Sequence, residues 1–86
     1  MKIEIDPSLI SSFREIMNNT KDVSVKKKLN QIESELTKTV KDYVIDAVSD
    51  RHYIVVEDEE KANKIIKALE LIKEGKVTDA FVVMGL

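Results

Sequence analysis

The chain has 86 residues, of which 43% are hydrophobic and 35% charged, with a net charge of −2. That balance excludes wholesale disorder and predicts a single domain over residues 1–86. With no cysteine, two glycines and one proline, the chain has no disulfide, no thiolate metal site, no cysteine nucleophile and no glycine-rich phosphate cradle.

Ile3 and Ile5 alternate with Lys2 and Glu4, which predicts a short strand with one buried face. Asp6-Pro7 ends it and starts a helix, because Asp caps the first turn and Pro has no amide proton to leave unpaired there. Leu9, Ile10, Phe13, Ile16 and Met17 then share one helical face, up to Asn18-Asn19-Thr20.

A second helix is expected from Asp22 or Ser24 to about Ser49. Val25, Leu29, Ile32, Leu36, Val40, Tyr43 and Ala47 fall on one narrow stripe, near the spacing of a coiled-coil seam. Around Tyr43, Val44, Ile45 and Val48 the pattern becomes apolar on all sides, which predicts a buried carboxyl half. The stripe admits two packings. It either closes on the first helix as a helical hairpin, or meets a second copy of itself through Val25, Leu29, Ile32 and Leu36 as a homodimer.

Residues 53–56, Tyr-Ile-Val-Val, read as a strand. A helix follows to about Glu74, with Ala62, Ile65, Ile66, Leu69 and Ile72 inward and Gly75 at its end. Ala-Phe-Val-Val-Met at 80–84 reads as a further strand, parallel to 53–56 through a right-handed crossover. The expected fold is therefore α+β with an α/β-like part: β-α-α-β-α-β, a small three-stranded sheet with a carboxyl-terminal parallel βαβ unit and a long second helix. This order of elements resembles that of the barstar-type inhibitors of extracellular ribonucleases. The likeness is one of architecture, since none of that family's binding-loop residues is present.

The densest charge cluster is Glu57-Asp58-Glu59-Glu60. Acidic residues in a first turn offset the helix macrodipole, and Asp58 suits the N-cap. The same four residues form an acidic surface for a protein partner, or oxygen donors for a divalent metal. The run Ile54-Val55-Val56-Glu57, then Lys61-Ala62, Ile65 and Leu69, then Phe81-Val82-Val83-Met84-Gly85, resembles the opening of a Toprim domain. That resemblance implies acid–base work by Glu57 with magnesium. The family's Asp-x-Asp metal motif has no counterpart among these residues.

Lys26-Lys27-Lys28 is the candidate nucleic-acid contact, but three consecutive helical residues fan over about 200° of the wheel, and Glu33, Glu35 and Asp42 dilute the charge. His52, the only histidine, stands in Asp50-Arg51-His52-Tyr53 with no nucleophile turn nearby.

The sequence thus points to a small non-enzymatic, protein-binding or regulatory protein, inhibitor- or adaptor-like, that needs no cofactor. Its long helix and acidic surface would engage a protein partner. The alternatives are a nucleic-acid-binding accessory protein using the lysines of the second helix and, more remotely, a Toprim-like metal-dependent domain. No apolar stretch reaches the ~20 residues of a membrane span. The amino terminus lacks the apolar core of a signal peptide, and a small domain without disulfides suits the cytoplasm.

Overall fold

A computed structural model describes all residues from Met1 to Leu86. It contains β1 (Lys2–Ile5), α1 (Pro7–Asn19), α2 (Val23–Thr39), β2 (Val40–Asp46), β3 (Arg51–Val56), α3 (Glu59–Lys73) and α4 (Val77–Met84). The fold is α+β, with four helices and a sheet of order β1-β3-β2. Both pairings are antiparallel. No helix is long and apolar enough to cross a membrane.

Local chemistry explains the helix starts. The Asp6 carboxylate accepts from the Ser8 amide, with Pro7 at the first helical position. Asp22 accepts from the Ser24 and Val25 amides, and Asp58 from that of Lys61. Each cap satisfies donors that the first turn cannot pair internally. At the other end of α3, Gly75 adopts φ 84°. The Lys76 amide then reaches the Leu71 carbonyl at 2.8 Å and the Gly75 amide reaches Ile72 at 3.0 Å. This Schellman arrangement needs the left-handed region that glycine enters freely.

Two sequence-based expectations are overturned. The second helix stops at Thr39 instead of Ser49, and residues 40–46 form β2. Thr39, Val40, Tyr43, Val44 and Ile45 are β-branched or aromatic, which disfavours helix and suits a pleated surface. A segment apolar all round at helical spacing was thus a strand viewed at the wrong period. The other correction concerns 80–84, which is part of α4 and not a strand. Val77, Ala80, Phe81 and Met84 pack inward while Val82 faces out, a three-to-four-residue repeat. No parallel βαβ unit exists, because β1 and β2 occupy both sides of β3. The strand–helix–strand geometry implied by the Toprim resemblance is therefore missing, and the element order behind the likeness to barstar-type inhibitors is replaced by β-α-α-β-β-α-α.

Alternation divides the sheet into two faces. Ile3, Ile5, Ile54, Val56, Val40, Tyr43 and Ile45 share one face through the pairs Ile3↔Ile54, Ile5↔His52, Val40↔Val56, Tyr43↔Ile54 and Ile45↔His52. Of these, Ile5, Ile54 and Val56 join Leu9, Phe13, Leu29, Ile32, Ala62, Ile65, Ala68, Leu69, Ile72, Ala80 and Phe81 in one core. The opposite face has no helix over it and carries Lys2, Glu4, Asp42, Val44, Asp46, Arg51, Tyr53 and Val55, none buried. There Lys2 stands 4.8 Å from the centre of the Tyr53 ring and Arg51 meets Glu4 at 3.9 Å.

Thr39, at the α2–β2 junction, is 7% exposed, and its hydroxyl has no hydrogen-bond partner. A buried unpaired polar group destabilises a fold. Thr39→Val is therefore expected to raise stability by about 1 kcal/mol, or ~4–8 °C in Tm for a domain of this size. Thermal unfolding followed by circular dichroism checks this; a lower Tm would mean that the hydroxyl is paired after all.

Candidate functional site

α1 and α2 both lean on α3 and touch one another little, so a cleft remains between them and β2. Its volume is about 570 Å³, and Ile10, Leu36, Val40, Tyr43 and Ile54 form its apolar lining, with Arg14 on the helix side. A smaller hollow of about 340 Å³ continues it along the two helices, past Phe13 and Met17. From Tyr43, 40% exposed, the same sheet face continues along β2 to Ile45, 56% exposed, and Val48 in the turn beyond is 98% exposed.

Hydrogen bonds at its turn and across its strands hold the hairpin. The Asp46 carboxylate accepts from the Val48 and Ser49 amides, and the Asp50 amide closes the turn on the Asp46 carbonyl at 2.7 Å. Asp50 takes φ 58°, a left-handed position that Asp tolerates better than most residues. Across the strands, the Tyr43 hydroxyl lies 2.6 Å from His52 Nδ1, with the rings edge to face at 5.5 Å. His52 is thus a strand residue bonded across the hairpin, not a free loop side chain. Partial burial raises the Tyr43 pKa, favouring the neutral hydroxyl.

The acidic cluster is spread over two tasks at the start of α3. Glu57 follows β3, Asp58 caps the helix, and Glu59 and Glu60 occupy its first turn; all four are exposed. No group of three or more metal-ligating side chains gathers here or elsewhere. Asp58 and Glu60 border a second hollow of about 690 Å³, whose other walls include Glu35, Lys38, Lys61 and Lys64. Its charges are of both signs, and Lys61 pairs with Glu35 at 2.7 Å. The pair lowers the Glu35 pKa and raises that of Lys61, chiefly through their hydrogen bond.

The lysines of α2 separate as their spacing implies. Lys26 and Lys27 are exposed, whereas half-buried Lys28 lies 5.4 Å from the centre of the Phe81 ring. The seam residues do not form an outward stripe. Leu29 and Ile32 are 0% exposed within the single chain, and Val25 and Leu36 are half-buried against the same core. A dimer through Leu29 and Ile32 would have to open that core.

The reading from sequence missed Tyr43, Ile45 and Val48 as surface residues because it placed them in a buried helix. The available signal was the density of β-branched and aromatic residues from 39 to 45.

The charged groups give this fold a defined pH window. The Ser8 amide holds Asp6, and the Val48 and Ser49 amides hold Asp46, below the ordinary carboxylate range, and Lys61 does the same to Glu35. Depressed carboxylate pKa values add stability above the unfolded pKa, and it is lost as pH falls below about 4. Raised values at Lys61 and Tyr43 act oppositely, with stability lost as pH climbs past about 10. Urea midpoints should be flat from pH 5 to 9 and fall on both sides, more so when Glu35 is intact than in Glu35→Gln.

Comparison with protein-family models, with curated proteins and with solved structures gave no match.

Proposed function

We propose that this chain is a small non-enzymatic protein-binding domain that engages its partner through the α1–α2–β2 cleft and the adjoining face of the β2–β3 hairpin. One observation carries the reading: Tyr43, which lines the apolar cleft, and Ile45, two residues on along the same sheet face, are both exposed. Burying such a patch supplies the main favourable term in most protein associations. The hairpin presents it on a scaffold held by its own hydrogen bonds, so little ordering is needed on binding.

This reading moves the proposed interface away from Glu57, Asp58, Glu59 and Glu60, which serve the start of α3. The two surfaces separate experimentally. Capture from a lysate of the source organism should be lost with Ile45→Glu and retained with the pair Glu59→Lys and Glu60→Lys. Both changes are at exposed positions; Ile45→Glu should keep Tm within about 4 °C, and the α3 pair, which removes two favourable charges from a helix start, should lower it by several degrees without unfolding the chain. Retention by Ile45→Glu with loss by the α3 pair would overturn the assignment in favour of the acidic surface.

A further inference from the structure

β2 is an edge strand, and its free edge adjoins the cleft. Antiparallel ladders direct the amides and carbonyls of alternate residues toward the partner strand and away from it. The Tyr43 amide is met at 2.8 Å by the carboxylate of its own neighbour Asp42, so the ladder with β3 does not use it. Ile45, two residues on, presents its backbone to the same side as Tyr43. A second chain laid along this edge would find the Tyr43 carbonyl and the Ile45 amide and carbonyl outside the ladder, would take over the Tyr43 amide from the Asp42 carboxylate, and would meet apolar side chains and the cleft on one face.

The other face of the same edge is acidic. Asp42, Val44 and Asp46 point there, and neither carboxylate has an ion-pair partner within this chain. Hydrogen bonds from the Val48 and Ser49 amides lower the Asp46 pKa, with a smaller longer-range attraction from Lys2. Lys41, the bulge residue, stands before this stretch. Arg14, on the helix side of the cleft, disfavours a basic residue at inward positions.

We infer that β2 takes up an extended peptide segment as a fourth, antiparallel strand, and that the segment follows the pattern basic–apolar–any–apolar–basic. The two apolar residues lie opposite Ile45 and Tyr43 on the cleft side. The two basic residues lie opposite Asp46 and Asp42 on the outer side. Backbone hydrogen bonds supply affinity and the alternating side chains supply specificity, as in other cases of strand addition. A second copy of this chain is a poorer complement. The register that sets Tyr43 against Ile45 also sets Asp42 against Asp46 at both ends, and directly opposed like charges are repulsive.

The inference rests on the binding surface proposed above. Its test uses the intact, isotope-labelled chain and two synthetic peptides, Gly-Lys-Leu-Thr-Val-Lys-Gly and the charge-reversed Gly-Glu-Leu-Thr-Val-Glu-Gly. The basic peptide should bind about tenfold more tightly, because two cross-strand pairs change from repulsive to attractive. Amide shifts should be largest at Tyr43 and Ile45, and exchange of the Ile45 amide should slow. The double variant Asp42→Asn with Asp46→Asn, whose side chains can still accept the turn and edge amides, should lose the preference and keep the hairpin. Equal affinities, no binding by either peptide, shifts confined to Ile10 and Leu36, or a peptide-free dimer joined through β2 would each overturn strand addition. If any of these occurs while Ile45→Glu still abolishes capture, the surface stands and only the mode of binding fails. If Ile45→Glu leaves capture unchanged, the surface itself fails.

Discussion

Leu29→Ala is expected to destabilise the chain by about 2–5 kcal/mol. Leu29 is fully buried within the single chain, where α2 meets the common core. Truncation removes transfer free energy and leaves a cavity that the neighbouring helices fill only in part. A domain of this length has roughly 4–13 kcal/mol in total, so the variant should be partly unfolded at moderate urea. Urea titrations at two protein concentrations give the measurement. If α2 packs inside one chain, both proteins show midpoints independent of concentration. A midpoint that rises with concentration in the parent chain would instead place the α2 stripe between two copies.

The second large effect separates neighbours in α4. Phe81→Ala should cost about 3–5 kcal/mol, the usual range for a buried aromatic. Val82→Lys should change stability by less than about 0.5 kcal/mol, as for an exposed site. Phe81 is 7% and Val82 73% exposed, a contrast that follows from a helix with Val77, Ala80, Phe81 and Met84 inward. In the buried parallel strand suggested by sequence, both faces would be covered and both substitutions would be severe. Comparable losses from the two changes would restore the strand.

These two cases show how far the sequence was legible. Asp6-Pro7, Asp22 and Asp58 announced three helices correctly, since caps and a proline are local chemistry and act whatever the tertiary context. The stripe on α3 was also readable, because a helix of 15 residues repeats its apolar period several times. Ala80-Phe81-Val82-Val83-Met84 was too short for its period to be seen. Five consecutive apolar residues fit a buried strand or a two-turn helix equally well. Val40 to Asp46 failed differently, because a long preceding helix carried its stripe through Val40 and Tyr43 by coincidence of spacing. That error hid the site, as the surface of β2 cannot be seen until β2 is known to be a strand. The backbone edge at Tyr43 and Ile45 has no sequence signature at all; it follows from strand order, which local patterns do not encode.

The placement of α3 has a consequence for synthesis. β1 leaves the ribosome before its partner β3, which lies about fifty positions later by the register Ile3↔Ile54. The helix on which α1 and α2 lean arrives later still, over 59–73. Until it emerges, the nascent chain has apolar faces on its first two helices and nothing to close them on. Early native contacts of this kind must await long loop closure, so these elements acquire their structure only once α3 has emerged, in one late step rather than progressively.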